Sequence, residues 1–134
     1  MGTILIVDAS LADARDCQRI LEARGFATAV HGTPHGVVDL TLELAPCLVV
    51  VDEFLPSLHG LQVIRDLSRH PGTGHIPVLM TASRTRTPDK IRALWQGARD
   101  YLVKPLEEDR LLRVVESLVD VPGPAVPIAA GSAR

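Results

Sequence analysis

Aromatic side chains are scarce in this chain of 134 residues, which holds one Trp, one Tyr and two Phe. The core must therefore be built from Leu, Val, Ile and Ala, which the 46% apolar content supplies. The length suits one domain of ordinary size with a real hydrophobic core. Cysteine is also sparse: Cys17 and Cys47 form no CxxC pair and no metal spacing. That argues against a zinc or redox motif and leaves two small buried thiols in a reducing compartment. No sign of charge dominates, since the net charge is −2, so there is no electrostatic case for nucleic acid or an anionic membrane. No apolar run approaches the roughly 20 residues of a membrane helix. The first one stops at Asp8 after four residues, which argues against a signal peptide. Lysine is the last scarcity: twelve arginines stand against Lys90 and Lys104 alone.

What is present is a repeated alternation. Short β-rich runs occur at ILIV (4–7), FATAV (26–30), CLVVV (47–51), IPVLM (76–80) and DYLV (100–103). Helical patterns lie between them. Residues 11–24 carry Leu11, Ala14, Cys17, Ile20 and Leu21 on one face, with Asp13, Asp16, Arg19 and Glu22 elsewhere, and stop at Gly25. Further helices are expected over 34–44, over 61–69 before Pro71-Gly72, over 87–96 and around Leu111–Val119. Thr87-Pro88-Asp89 reads as N-cap, first-turn proline and first-turn acid. Five βα units predict an α/β fold, a doubly wound parallel sheet with helices on both faces. CLVVV, apolar on both faces, suits a central strand. After Asp120, VPGPAVPIAAGSAR has three prolines and two glycines. Residues 1–120 are thus expected to form the domain and 121–134 a flexible tail or linker stub.

Parallel α/β sheets bind ligands at the carboxyl ends of their strands. Here those ends carry Asp8, His31-Gly32, Asp52, Thr81 and Lys104. Two carboxylates suit a hard dication such as Mg²⁺, and a lysine and a hydroxyl suit phosphoryl oxygens. A carboxylate can also take a phosphoryl group covalently. A lysine where the chain otherwise uses Arg indicates a need for a compact ammonium. Each residue also has a plain reading. Asp8 could cap the first helix, in competition with Ser10; Asp52 could simply meet water; Thr81 could serve β propensity; Tyr101 could be a half-buried edge aromatic. Trp95, a lone Trp on a helix, fits core somewhat better than a partner contact. The five histidines show no zinc spacing on a regular element.

ILIVDAS, CLVVVDEFLPSLHG, PVLMTAS and GARDYLVKP, in this order from about residue 3 to 119, resemble the signatures of the receiver domain of bacterial response regulators. The resemblance implies the flavodoxin-like strand order 2-1-3-4-5. It implies that Asp52 is the phosphoacceptor and that Asp8, Asp52 and the backbone carbonyl of Phe54 hold Mg²⁺. Lys104 and Thr81 would contact the phosphoryl group, and Thr81 and Tyr101 would act as the switch. It further implies a cytoplasmic, stand-alone regulator of a two-component phosphorelay, similar to chemotaxis and pilus-motility regulators. Such a protein is no enzyme beyond its own phosphorylation and dephosphorylation. Its partners would be a histidine kinase or phosphotransfer protein and a downstream protein target, met through Arg92, Trp95, Arg99 and Arg113. A homodimer through the last helix is carried as a further association; nucleic acid and membrane are not.

One position departs from the family. Ala9 stands where a second acid usually contacts the metal, so Mg²⁺ binding and metal-dependent phosphotransfer should be weakened. Glu53 is an acid close enough in sequence to compensate in part. Phe54 offers no hydrogen bond to orient an attacking water, so an aspartyl phosphate should hydrolyse slowly. Ala9 also keeps alive a rival, a degenerate receiver that binds partners without phosphorylation. A flavin-binding protein of the same fold would need a Ser/Thr/Gly-rich phosphate loop, which DASLADARD is not.

Overall fold

The structure, a computed structural model, describes residues 2–83 and 87–119, with the backbone alone at Leu58 and Thr87. The expected tail and Asp120 lie outside the described residues. Five strands, β1 (Thr3–Val7), β2 (Ala27–His31), β3 (Leu48–Asp52), β6 (Val78–Ala82) and β7 (Asp100–Val103), pair in parallel in the order β2-β1-β3-β6-β7. In chain order of the main strands this is the expected 2-1-3-4-5. The helices are α1 (Leu11–Ala23), α2 (Val37–Leu44), α3 (Gly60–Arg69), α4 (Thr87–Gln96) and α5 (Glu108–Val119). A two-stranded hairpin, β4 (Phe54–Leu55) and β5 (Leu58–His59), had no counterpart in the sequence reading. It turns at Ser57, whose φ of 63° is left-handed.

Strand alternation sorts the core into two layers. Ile4, Ile6, Leu48, Val50, Leu79 and Leu102 face one way, onto Ala14, Cys17, Ile20 and Leu21 of α1 and Leu111, Leu112 and Val115 of α5. Leu5, Val7, Val49, Val51, Val78, Met80 and Tyr101 face the other way, onto Val63, Ile64 and Leu67 of α3 and Ala93 of α4. Every residue of β3 and β6 is buried, as central parallel strands require. An ion pair from Arg24 to Glu116 ties the end of α1 to α5.

Ser10, rather than Asp8, caps α1: its hydroxyl accepts the Asp13 N–H at 3.3 Å. Thr87 is the first residue of α4, not its cap. Trp95 departs from the core reading, being 84% exposed. The inward position of α4 is taken by Ala93, fully buried against the sheet and α3, and Trp95, two residues on, falls on the outer face. Cys17 is buried, with burial pushing its thiol up to about 12; Cys47 is only partly buried.

Candidate functional site

The alternation that builds the core also delivers the site. Asp8 continues the face of Ile4 and Ile6, Asp52 that of Leu48 and Val50, Thr81 that of Leu79, and Lys104 that of Leu102. All four end their strands on the α1 side. The register pairs Asp52 with Thr81 directly. The ladder continues past the strands, with the Lys104 N–H on the Ala82 carbonyl at 2.7 Å and the Glu53 N–H on the Thr81 carbonyl at 2.8 Å. Asp8, Asp52 and Thr81 are all buried.

The Lys104 ammonium sits among carboxylates. It donates to Asp8 Oδ2 at 2.8 Å and to Asp13 Oδ2 at 2.8 Å, and lies 3.1 Å from Asp52 Oδ1. The Asp8 Oδ1 accepts the Ser10 N–H at 2.9 Å, fixing the carboxylate at the head of α1. Asp52 Oδ1 has no hydrogen-bond donor, and among the described residues it is the buried side-chain N or O atom left in that state. Burial pushes the Asp52 carboxyl above the ordinary value, a rise opposed by the Lys104 ammonium and reinforced by Asp8. Burial alone would lower the Lys104 ammonium, but its contacts with the carboxylates of Asp13, Asp8 and Asp52 win and raise it. The hydrogen bond from Lys104 holds the Asp13 carboxyl below its usual range.

Glu53 goes elsewhere. It continues the opposite face, that of Val49 and Val51, and is buried on the α3–α4 side. The Tyr101 hydroxyl donates to its Oε1 at 2.9 Å, and His59 Nε2 stands 3.7 Å from its Oε2. Tyr101 is fully inside rather than half-buried. Its phenol is raised, first by burial and then by the bond to Glu53. Glu53 is therefore committed to Tyr101 and His59, and it does not fill the place of the missing acid. His59, which drew little attention in the sequence, also caps α3, its Nδ1 accepting the Leu61 N–H at 3.1 Å.

The loop after Asp52 is drawn tight. The Gly60 N–H donates to the Glu53 carbonyl at 2.8 Å, and a Cβ at Gly60 would overlap the Asp52 carbonyl oxygen. Phe54 is exposed beside this loop, edge-on to His59. Arg92, Arg99 and Arg113 are exposed, on α4, just before β7 and on α5. Trp95 stands out with Ile91 and Leu94 on α4 and Val103 on β7, three exposed apolar positions that the sequence reading did not single out.

Asp8 and Asp52 are two buried acids at one rim, one of them with an oxygen that lacks a hydrogen bond, so the residues fit a divalent cation. The set is sparse: among the described residues no group of three or more His, Cys, Asp or Glu side chains stands in metal-holding geometry. Among the same residues, no helix is long and apolar enough to cross a membrane.

Comparison with known proteins accounts for this arrangement. The family model of the response regulator receiver domain matches residues 4–116. Protein PilH of Pseudomonas aeruginosa is 33% identical over 119 residues, covering 89% of this chain and 98% of PilH. The DNA-binding response regulator MtrA of Mycobacterium tuberculosis is 34% identical over 114 residues, covering 85% of this chain, which spans about half (49%) of MtrA. The crystal structure of a putative response regulator from Chloroflexus aurantiacus superposes with a TM-score of 0.84 at 26% identity, covering 88% of this chain and 97% of that one. Receiver domains are signalling modules rather than conventional enzymes. With matched motifs over most of its length, the receiver fold and acids at the strand ends, the chain belongs to the response regulator receiver domain family.

Proposed function

We propose that this receiver accepts a phosphoryl group on Asp52 from a histidine kinase or phosphotransfer protein, and thereby switches a protein-binding face. The observation that carries the reading is Asp52 itself: a buried carboxylate at the rim, one oxygen without a hydrogen-bond donor, beside an ammonium and level with Thr81. A buried carboxylate oxygen met by an ion pair but by no hydrogen bond is under-satisfied, and such groups mark functional sites. In the transfer, an Asp52 oxygen attacks phosphorus, the bond from phosphorus to the phosphohistidine nitrogen breaks, and the imidazole leaves with that electron pair. Lys104 donates to the phosphoryl oxygens, and the Thr81 hydroxyl, one strand away, donates to another. Asp8, Asp52 and the Phe54 carbonyl would hold Mg²⁺, which supplies charge neutralisation at the phosphoryl oxygens.

Once Thr81 is drawn towards Asp52, space changes behind it and Tyr101 on the next strand responds. The face that reads this change consists of α4, β7 and α5, where Arg92, Trp95, Arg99 and Arg113 meet a protein target. The exposed Trp95, Ile91 and Leu94 support it, since exposed aromatic and apolar side chains beside arginines are typical of interface anchors.

Ala9 favours a second reading, a receiver that binds its partner without phosphorylation. Acetyl phosphate and beryllofluoride, each with and without Mg²⁺, separate the two in wild type, Ala9→Asp and Asp52→Ala. The expected result is an adduct seen by intact mass or fluorine NMR in wild type, absent in Asp52→Ala, and formed at lower Mg²⁺ in Ala9→Asp. No adduct in wild type at saturating Mg²⁺ would end the phosphoacceptor reading and leave the interaction module.

A further inference from the structure

Lys104 meets three carboxylates, and the third comes from an unexpected place. Asp8 and Asp52 lie at strand ends, whereas Asp13 lies in the first turn of α1, where the sequence shows only a polar helix face. The Ser10 cap holds the Asp13 backbone, and Lys104 holds its carboxylate at 2.8 Å. Its side chain keeps 45% of its surface in solvent, against 7% for Asp8 and 10% for Asp52. Three carboxylates and one ammonium leave the cluster at a net charge of −2. A site with an acid at position 9 in place of Asp13 would carry the same charge.

We propose that Asp13 replaces the acid missing at position 9, as a positioning residue that seats the Lys104 ammonium so that a divalent cation can use Asp8 and Asp52. The inference rests on the phosphoacceptor reading of this site. A dication reaching Asp8 and Asp52 meets an ammonium already bonded to Asp8. Were Asp8 and Asp52 its only anions, the ammonium would have to share both with the arriving charge. Asp13 gives it a second hydrogen-bond partner on the solvent side, away from the buried pair, so Asp8 Oδ2 is released without stranding the lysine. Asp52 Oδ1 stands 3.1 Å from that ammonium with no hydrogen bond of its own, so the ion pair alone holds its charge. Asp13 acts through its charge and its hold on Lys104.

The test is a Mg²⁺ titration of the unphosphorylated protein by calorimetry and by amide NMR shifts of Ser10 and Glu53. No phosphodonor is present, so its result is read apart from adduct formation at Asp52. The variants are Asp13→Asn, Asp13→Glu, and Asp13→Asn combined with Ala9→Asp. Asp13→Asn should weaken Mg²⁺ binding about 10-fold or more. Asp13→Glu should retain most of the affinity, and Ala9→Asp should restore it in the Asn background. An Asp13→Asn affinity equal to wild type, or a folded wild type that binds no Mg²⁺ at tens of millimolar, overturns the proposal.

Discussion

Asp52 and Glu53 are neighbours in sequence, both carboxylates and both buried, yet they live on opposite sides of the sheet. Asp52 faces α1, meets the Lys104 ammonium and keeps an oxygen without a hydrogen bond. Glu53 faces α3 and α4, takes the Tyr101 hydroxyl and approaches His59. One acid is left wanting and the other is provided for. The contrast shows that residue type and burial do not decide what a carboxylate does. The groups presented on its own side of the sheet decide it: an ammonium among competing acids makes a reactive place, a phenol makes an anchor.

The largest way to break this contrast is to remove the cation from the Asp52 side. Lys104→Met leaves Asp8 and Asp52 as buried charges without their ammonium, and should cost about 3–5 kcal/mol in urea unfolding at pH 7. Lys104 lowers the Asp13 carboxyl from 3.8, so the stability from that pair is present above this value and lost as pH falls through the lower folded value. The Asp13 share of the gap between wild type and variant should therefore shrink in acid, and a gap wholly unchanged there would count against the ion-pair account of that residue. Next is the other side. Glu53→Ala removes the acceptor of the Tyr101 hydroxyl inside the core and should cost about 1–3 kcal/mol, while Glu53→Gln, which still accepts, should cost less. Beryllofluoride capture at Asp52 should survive both, because the two acids face apart; loss of capture in a folded Glu53→Gln would show that the sides are coupled.

A smaller effect runs in the stabilising direction. The folded carboxyl of Asp52 is raised above 3.8, so its protonated form contributes stability that disappears as pH rises through the folded value. At pH 7 the ionised side chain is a burden, and Asp52→Asn should raise Tm by about 3 °C, the gain fading as the pH approaches the lower value. A lower Tm for Asp52→Asn at pH 7 would mean that the site is better satisfied than its geometry indicates. The smallest change sharpens the lifetime of the modified state. Exposed Phe54 gives an attacking water nothing to bond to, and Phe54→Asn should shorten the half-life of the aspartyl phosphate by about 3-fold, under 1 kcal/mol of barrier.

Much of the Asp52 side was legible because it follows from strand endings. Apolar runs that stop on Asp8 and Asp52, and a lone lysine after DYLV, place their side chains once the strands are parallel. Asp13 was not legible as part of the site. On a helix with Asp16, Arg19 and Glu22 it is one polar residue among several, and its meeting with Lys104 depends on how α1 packs beside α5 and across the sheet. The direction of Glu53 was also hidden. It has left β3, and alternation carries on through that position because its N–H bonds to Thr81 on the neighbouring strand. For Trp95 only the core alternative fails, while its place on the partner face agrees with its exposure: a single residue on an amphipathic helix gives no phase, and Ala93 takes the inward place.

Gly60 gives the molecule a direction. With no side chain there, the start of α3 is seated against the backbone of Asp52 and Glu53 with no gap to close. A wall in full contact cannot advance, so a phosphoryl group taken at Asp52 as proposed would find no travel available towards α3. On the Tyr101 side of the sheet the neighbouring element is α4, which rests on the small Ala93 and shows its large side chains to solvent. On the proposed phosphorylation, recoil from the site would run to one flank, and a backbone contact that looks like mere tight packing would work as the anvil of the proposed switch.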